Sequence, residues 1–196
     1  MSPDLSEAQE RNLGLYETLL RERAIPLGLV AVSDIERLGE RHVRDSLRVV
    51  PLLSPDDSTL VDIGSGSGLP GIALAIARPS IHVVLVEPKQ RAVGFLELAA
   101  ERLALTNVEI RDVRIEDVDL MVDVATTRAY GPIDRSWTAA CRVLRSGGRL
   151  IYFAGEGMAD PEKEARSLTQ PEASALVQVE RLADSSPLVI MTREPS

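Results

Sequence analysis

The chain has 196 residues, which predicts a single domain, and its 44% hydrophobic and 27% charged content excludes disordered, collagen-like and disulfide-scaffold classes. Lys and Arg number 22 against 30 Asp and Glu, a formal charge of −8. That balance excludes a general nucleic-acid coat protein, which needs a broad positive field, and leaves room for a local basic patch.

The first predicted element is an amphipathic helix over residues 5–24, with Leu5, Ala8, Asn12, Leu15 and Leu19 on one stripe beside Tyr16 and Leu20, closed by Pro26 and Gly28. A second helix is expected over 33–50. Ser33 and Glu36 have capping-box spacing at its start, and Pro51 and Pro55 mark its exit. From there short apolar strands alternate with helices: strand 59–63, helix 69–77, strand 81–87, helix 91–105, strand 108–113, strand 122–126, helix 133–144 and strand 149–153, with Gly147-Gly148 as a helix stop. This alternation predicts a parallel sheet covered on both faces. A short helix over 161–168 precedes strands 175–182 and 188–192, whose brief connection 183–187 allows a hairpin and not a parallel crossover. The expected architecture is one α/β domain, residues 1–196. It divides into an N-terminal helical extension, 1–55, and an α/β core, 56–196, whose mostly parallel sheet ends in an antiparallel hairpin.

Cys141 is the only cysteine, so no intrachain disulfide or Cys-based zinc site is expected, and His42 and His82 are too few and too far apart for a His-rich metal cluster. Residues 1–7 are acidic and polar, and no uncharged apolar run reaches the ~18 residues of a membrane span. The expectation is a cytoplasmic protein without a membrane partner.

The most informative stretch is Val61-Asp62-Ile63-Gly64-Ser65-Gly66-Ser67-Gly68-Leu69-Pro70-Gly71, a strand, a glycine turn and a helix start. Glycines let the backbone turn sharply and let a ligand approach the main chain. Gly66–Gly71 fits G-x-G-x-x-G, the dinucleotide pattern, whereas Asp62–Gly68 fits the D-x-G-x-G-x-G loop of S-adenosylmethionine enzymes. The second register is favoured, because the turn begins at Gly64 directly after the strand. Glu87, closing the second strand, suits the two ribose hydroxyls of either cofactor. Ile115-Glu116-Asp117 follows the third strand, where such enzymes flank the adenine.

On the second helix, read at ~100° per residue, Arg37, Arg41, Arg44 and Arg48 share an arc opposite Ile35, Leu38, Val43, Leu47, Val49 and Val50. The arc reads either as a phosphate-contacting stripe or as a solvated face paired with Asp34, Glu40 and Asp45. His42 and Ser46 point into the apolar arc, where polar groups need partners. Only 3% of residues are aromatic. Base stacking therefore rests on few side chains, with Tyr130 best placed and Trp137 expected in the core.

Arg41-His42, Asp45-Ser46, Gly66-x-Gly68-Leu69-Pro70-Gly71, Arg91 with Phe95-Leu96, and Arg128-Ala129 recur in the order and spacing of one family. Over about residues 32–155 the chain resembles the bacterial 16S ribosomal RNA (guanine-N7) methyltransferase G family, also called glucose-inhibited division protein B. The resemblance implies a class I, Rossmann-like methyltransferase fold, S-adenosylmethionine as methyl donor, and 16S ribosomal RNA or the small ribosomal subunit as partner; a monomer is expected. The resemblance places the cofactor on Gly64, Leu69, Ile115, Glu116 and Arg128 with Glu87 on the ribose, and the glycine loop adds Asp62, Gly66 and Gly68. Arg128, His42 and Asp45 are the expected catalytic residues, the second helix packing beside the cofactor pocket and shaping the acceptor site. The arginine arc with Tyr130 makes Arg37, Arg41, Arg44, Arg48 and Tyr130 the expected RNA contacts. Arg128 would position the cofactor or the guanine edge, or else pair with Asp62, Asp123 or Glu116. The family's Lys-Gly pair after the fifth strand is absent, the residues here being Phe153-Ala154-Gly155. With the acidic charge, this keeps two other readings open: a methyltransferase for a small molecule or protein, and a non-catalytic S-adenosylmethionine-binding module.

Overall fold

A computed structural model describes residues 3–155, 158–168, 175–180 and 186–194. The N-terminal helix α1 (Glu7–Leu19) starts at Ser6, which forms a capping box with Gln9, and continues as a π-helical turn, Leu20–Ala24. Residues 32–52 are helical in three successive windings: 3₁₀ over Val32–Arg37, π over Leu38–Arg44 and 3₁₀ over Leu47–Leu52. Then follow β1 (Thr59–Ile63), α2 (Gly71–Ala77), β2 (His82–Val86), α3 (Gln90–Arg102), β3 (Val108–Arg111), a 3₁₀ turn at Ile115–Asp117, β4 (Val122–Arg128), α4 (Ile133–Val143), β5 (Leu144–Phe153), α5 (Pro161–Ser167), β6 (Ala175–Glu180) and β7 (Leu188–Arg193).

The strands form one sheet in the order β3-β2-β1-β4-β5-β7-β6. The pairs β3-β2, β2-β1, β1-β4 and β4-β5 are parallel, and β7 runs antiparallel to both neighbours. The expected sheet with its antiparallel hairpin is therefore present. Inner strands bury alternate residues in opposite layers: Val83 and Leu85 join the layer of α1, α2, α3 and residues 32–52, while Val84 and Val86 join the layer of α4 and α5. Both faces are covered, which is why these strands read as continuous apolar runs. Trp137 lies in the second layer, as expected.

Four local expectations are corrected. The buried stripe of α1 is Leu13, Tyr16 and Leu19, followed by Leu20 and Ala24, whereas Leu15 is 42% exposed and Ala8 faces solvent. Asn12, expected on the stripe, does point inward, its Nδ2 donating to the Leu103 carbonyl at the end of α3, and Gln9 takes an inward place too, its Nε2 donating to the carbonyls of Ile76 and Ala77 at the end of α2. Ser33 caps nothing, since the helical stretch begins after Ala31 without a side-chain cap. Its 3₁₀ and π turns wind by more and by less than 100° per residue, so Arg44 and Arg48 do not share the arc expected of them. Finally, Gly147-Gly148 lies inside β5 as an irregularity, where pairing jumps from Val122↔Leu144 to Val124↔Arg149. Leu182 and residues 183–185 of the expected hairpin lie outside the described residues. No helix among the described residues is long and apolar enough to cross a membrane.

Candidate active site at the carboxyl edge of the sheet

The strand order reverses between β1 and β4, and in open α/β sheets ligands bind at the carboxyl ends of strands beside such a switch point. At the end of β1 the chain enters the glycine loop, where Gly64, Gly66 and Gly68 take φ values of +70°, +55° and +86°. A Cβ on Gly64 would lie 2.6 Å from the Tyr130 ring, and one on Gly68 2.5 Å from Ile72 and 3.0 Å from the Tyr16 hydroxyl oxygen. The N–H groups of Gly64 and Ser65 donate to the Val86 carbonyl at 2.9 and 3.1 Å, and that of Gly68 to the Ser65 carbonyl at 2.7 Å. Glu87 leaves the end of β2, and its carboxylate accepts from the N–H of Gly66 and of Lys89, each at 3.0 Å. The carboxylate thus joins the loop to β2.

Asp62 was expected to face the ligand, yet it lies behind the loop, 1% exposed. Its Oδ2 accepts from the Gly71 N–H at 3.1 Å and its Oδ1 from the Thr126 hydroxyl at 2.8 Å, tying the start of α2 to β4. Burial pushes its carboxyl up to about 6, against the lowering by the Thr126, Gly71 and Ser65 bonds and with Glu87 adding to the rise. On the same buried side Tyr16, 0% exposed, donates its hydroxyl to the Ser67 carbonyl at 2.7 Å. Burial raises the phenol well above its usual range, so the hydroxyl stays a donor.

Arg128 ends β4 across the switch point. Its Nη1 donates to the His42 carbonyl at 3.2 Å and to Ser46 Oγ at 3.4 Å, and its Nη2 lies 3.3 Å from Asp45 Oδ2. Its guanidinium also covers the Phe153 ring, 5.2 Å from the centroid. Nη2 is 3.1 Å from His42 Nδ1. A guanidinium only donates, so Nδ1 accepts, and Nε2–H donates to Asp34 Oδ2 at 3.0 Å. Ser46 Oγ donates back to the His42 carbonyl at 2.7 Å. The three expected acceptor-side residues, Arg128, His42 and Asp45, therefore meet. Arg128 pairs with Asp45, while Asp62 bonds Thr126 and Gly71 and Asp123 bonds Ser58, Thr59 and Arg145.

The remaining expected residues divide. Ile115 is buried at the end of β3, Glu116 beside it is exposed, and the Glu116 carbonyl accepts from Arg142 at 3.1 Å. Tyr130 follows Ala129, whose φ is +55°, and its ring stacks under the Arg135 guanidinium at 4.9 Å. Of the arginine stripe, Arg44 is half exposed and holds Glu10 through two hydrogen bonds of 3.0 and 2.7 Å. Arg48 is only 9% exposed, bonded to Asp45 and to the Ser186 carbonyl, both at 2.8 Å. These two therefore do not share a solvent-facing stripe, and the side chains of Arg37 and Arg41 lie outside the described residues. Sequence reasoning missed Tyr16 as a loop contact and Asp34 as the partner of His42. Tyr16 read there only as an apolar stripe member, and the eight-residue spacing of Asp34 and His42 matches no helical contact rule.

Residues 9–189 match the family described as rRNA small subunit methyltransferase G. The ribosomal RNA small subunit methyltransferase G of Clavibacter michiganensis is 40% identical over 154 residues, 78% of this chain and 72% of that protein. The protein of the same name from Granulibacter bethesdensis is 37% identical over 184 residues, 88% of this chain and 85% of that one. Among solved structures, M. jannaschii TYW2 in complex with AdoMet is similar in fold, with a TM-score of 0.61, 16% identity, and coverage of 84% of this chain and 76% of that one.

Proposed function

The chain belongs to the rRNA small subunit methyltransferase G family, and from that premise we propose that it transfers a methyl group from S-adenosylmethionine to N7 of a guanine in 16S ribosomal RNA. The observation that carries this reading is the convergence, on one sheet edge, of the Glu87-anchored glycine loop and the Arg128 cluster.

The residues present fit the cofactor. Gly64 and Gly68 keep the tight turn free of clashes with Tyr130, Ile72 and Tyr16, and the Glu87 carboxylate has lone pairs beyond the two taken by backbone N–H groups, enough to accept from ribose hydroxyls. When bound, S-adenosylmethionine supplies a methyl group made electrophilic by its sulfonium. Gly64, Gly66, Gly68 and Leu69 bring main chain close to it, Glu87 orients the ribose, and Ile115 and Glu116 flank the adenine. Asp62 acts from behind, fixing the loop's exit into α2.

Guanine N7 carries a lone pair and no proton, so the chain needs no general base. Its task is alignment of the reacting atoms and a fixed electrostatic surround. Arg128, held through both Nη groups by His42, Ser46 and Asp45, keeps a guanidinium fixed at the sheet edge, where it orients the guanine or the cofactor by its charge and its plane. His42 and Asp45 set that guanidinium, and Tyr130 offers a ring for stacking. Arg44 and the segment holding Arg37 and Arg41 face the RNA. The working unit is a single domain acting as a cytoplasmic monomer on the small ribosomal subunit.

The test is transfer from labelled S-adenosylmethionine to small subunits lacking the modification, followed by chemical mapping of the base. Label at one guanine N7 of 16S RNA is the expected result. Cofactor binding with no label in RNA would overturn the substrate assignment and favour a small-molecule or protein acceptor, a reading the Arg44–Glu10 and Arg48–Asp45 pairings also favour because they neutralise basic groups.

A further inference from the structure

Helix α1 contacts both halves of the site. Tyr16 reaches the glycine loop by its hydroxyl, 2.7 Å from the Ser67 carbonyl. Gln9 and Asn12 fasten the helix to the last turns of α2 and α3. Glu10 binds Arg44 in the segment that carries His42 and Asp45, and Arg21, in the turn after α1, donates to the Ile35 carbonyl at 2.9 Å.

The Tyr16 contact is the one that bears on the loop's shape. Ser67 lies between two glycines with left-handed φ, whose backbones rotate more freely than any others. Its carbonyl faces the protein interior, where a missing donor leaves a buried oxygen unpaired at a cost of about 1–3 kcal/mol. The Tyr16 oxygen also stands 3.0 Å from the position a Gly68 Cβ would take, so the same atom closes the space into which the loop could relax.

We propose that Tyr16 is a positioning residue for the cofactor: by holding the Ser67 carbonyl inward it keeps the glycine loop in the shape that binds S-adenosylmethionine. The inference rests on the assignment of this loop as the cofactor cradle. Its consequence is quantitative. If only a fraction of molecules carries the competent loop, the apparent Kd rises by the inverse of that fraction. Removing the hydroxyl lets the loop leave that shape, whereas turnover of molecules that have bound cofactor is unaffected.

The experiment is calorimetric titration of S-adenosylmethionine into the full chain and its Tyr16→Phe variant, with methyl transfer measured at saturating cofactor. Tyr16→Phe keeps the ring and deletes one oxygen. The expected result is a Kd about tenfold higher, corresponding to about 1.4 kcal/mol, with kcat within about twofold of wild type. Leu13→Ala, which opens a cavity in the same helix away from the loop, serves as the stability control and should lower the melting temperature while leaving Kd unchanged. A Tyr16→Phe Kd equal to wild type would overturn the inference, as would an equal rise in Kd for Leu13→Ala. Failure of the wild-type chain itself to bind S-adenosylmethionine would overturn the cradle assignment, and the inference with it.

Discussion

At the ends of β1 and β2 the glycine loop is held mainly through backbone: Gly64, Ser65, Gly66 and Gly68 each spend their N–H on a fixed acceptor, and Ser67 its carbonyl on Tyr16. Beyond the end of β4 the opposite holds. Arg128, His42, Asp45, Asp34 and Ser46 are joined largely through side-chain atoms, and the helical segment carrying four of them winds irregularly. The contrast suits the two proposed tasks. A cofactor cradle must be a fixed shape, which backbone geometry supplies. An acceptor site must hold a guanidinium charge in place, which a network of charged and polar side chains tunes. Changes on the first side should therefore act on folding and cofactor affinity, and changes on the second on the transfer step.

The largest effect is expected where the backbone itself is constrained. Gly68→Ala places a Cβ at a φ of +86° and against Ile72. Left-handed strain and overpacking together should cost about 2–5 kcal/mol, read by urea denaturation, with cofactor binding lost. Native-like stability in that variant would show the loop to be adaptable.

Next is the pH dependence set by Asp62. Its carboxyl is raised to about 6 in the fold, so between pH 4 and 6 the folded chain binds more protons than the unfolded one. Stability contributed by this group is full below about pH 4 and is lost as pH rises through 6, a change on the order of 3 kcal/mol. Asp62→Asn should flatten that slope in denaturation curves taken across the window. Asp123 acts in the other direction: burial raises it, but the Ser58 and Thr59 bonds outweigh burial and hold it at about 2, so its contribution is lost only as pH falls from about 4 towards 2. A smaller change is expected from Glu87→Gln, which keeps the shape but weakens the acceptor for the loop and the ribose. Its Kd for S-adenosylmethionine should rise about tenfold by calorimetry, and an unchanged Kd would detach Glu87 from the cradle.

The same contrast explains what could be read from the sequence. β1 matches its expected span residue for residue, because an apolar run bounded by glycine admits few alternatives. The mostly parallel sheet followed from strand and helix alternation, and the hairpin from a short connection, whereas the strand order did not, since alternation alone does not say which strands are neighbours. Residues 32–52 were legible as helical but not in their facing, since a regular 100° period does not describe 3₁₀ and π turns. That misplaced the arginines, and it turned Arg48 from a surface group into a buried one. Family resemblance singled out Arg128 and His42 one by one, but their meeting across 86 residues was not legible, as no local pattern encodes it. The partners of Gln9, Asn12 and Tyr16 were hidden for a simpler reason: a polar atom aimed inward at a carbonyl is indistinguishable, in a string of letters, from one aimed at water.

Arg128→Lys tests the division between the two sides most directly, because it keeps the charge beside Asp45 and removes the planar fork. Cofactor Kd and single-turnover methyl transfer to small subunits should be measured on the same preparation. The account predicts a Kd within about threefold of wild type and a transfer rate lowered about a hundredfold, some 2.7 kcal/mol of transition-state stabilisation. A wild-type rate, or a loss confined to cofactor affinity, would contradict it.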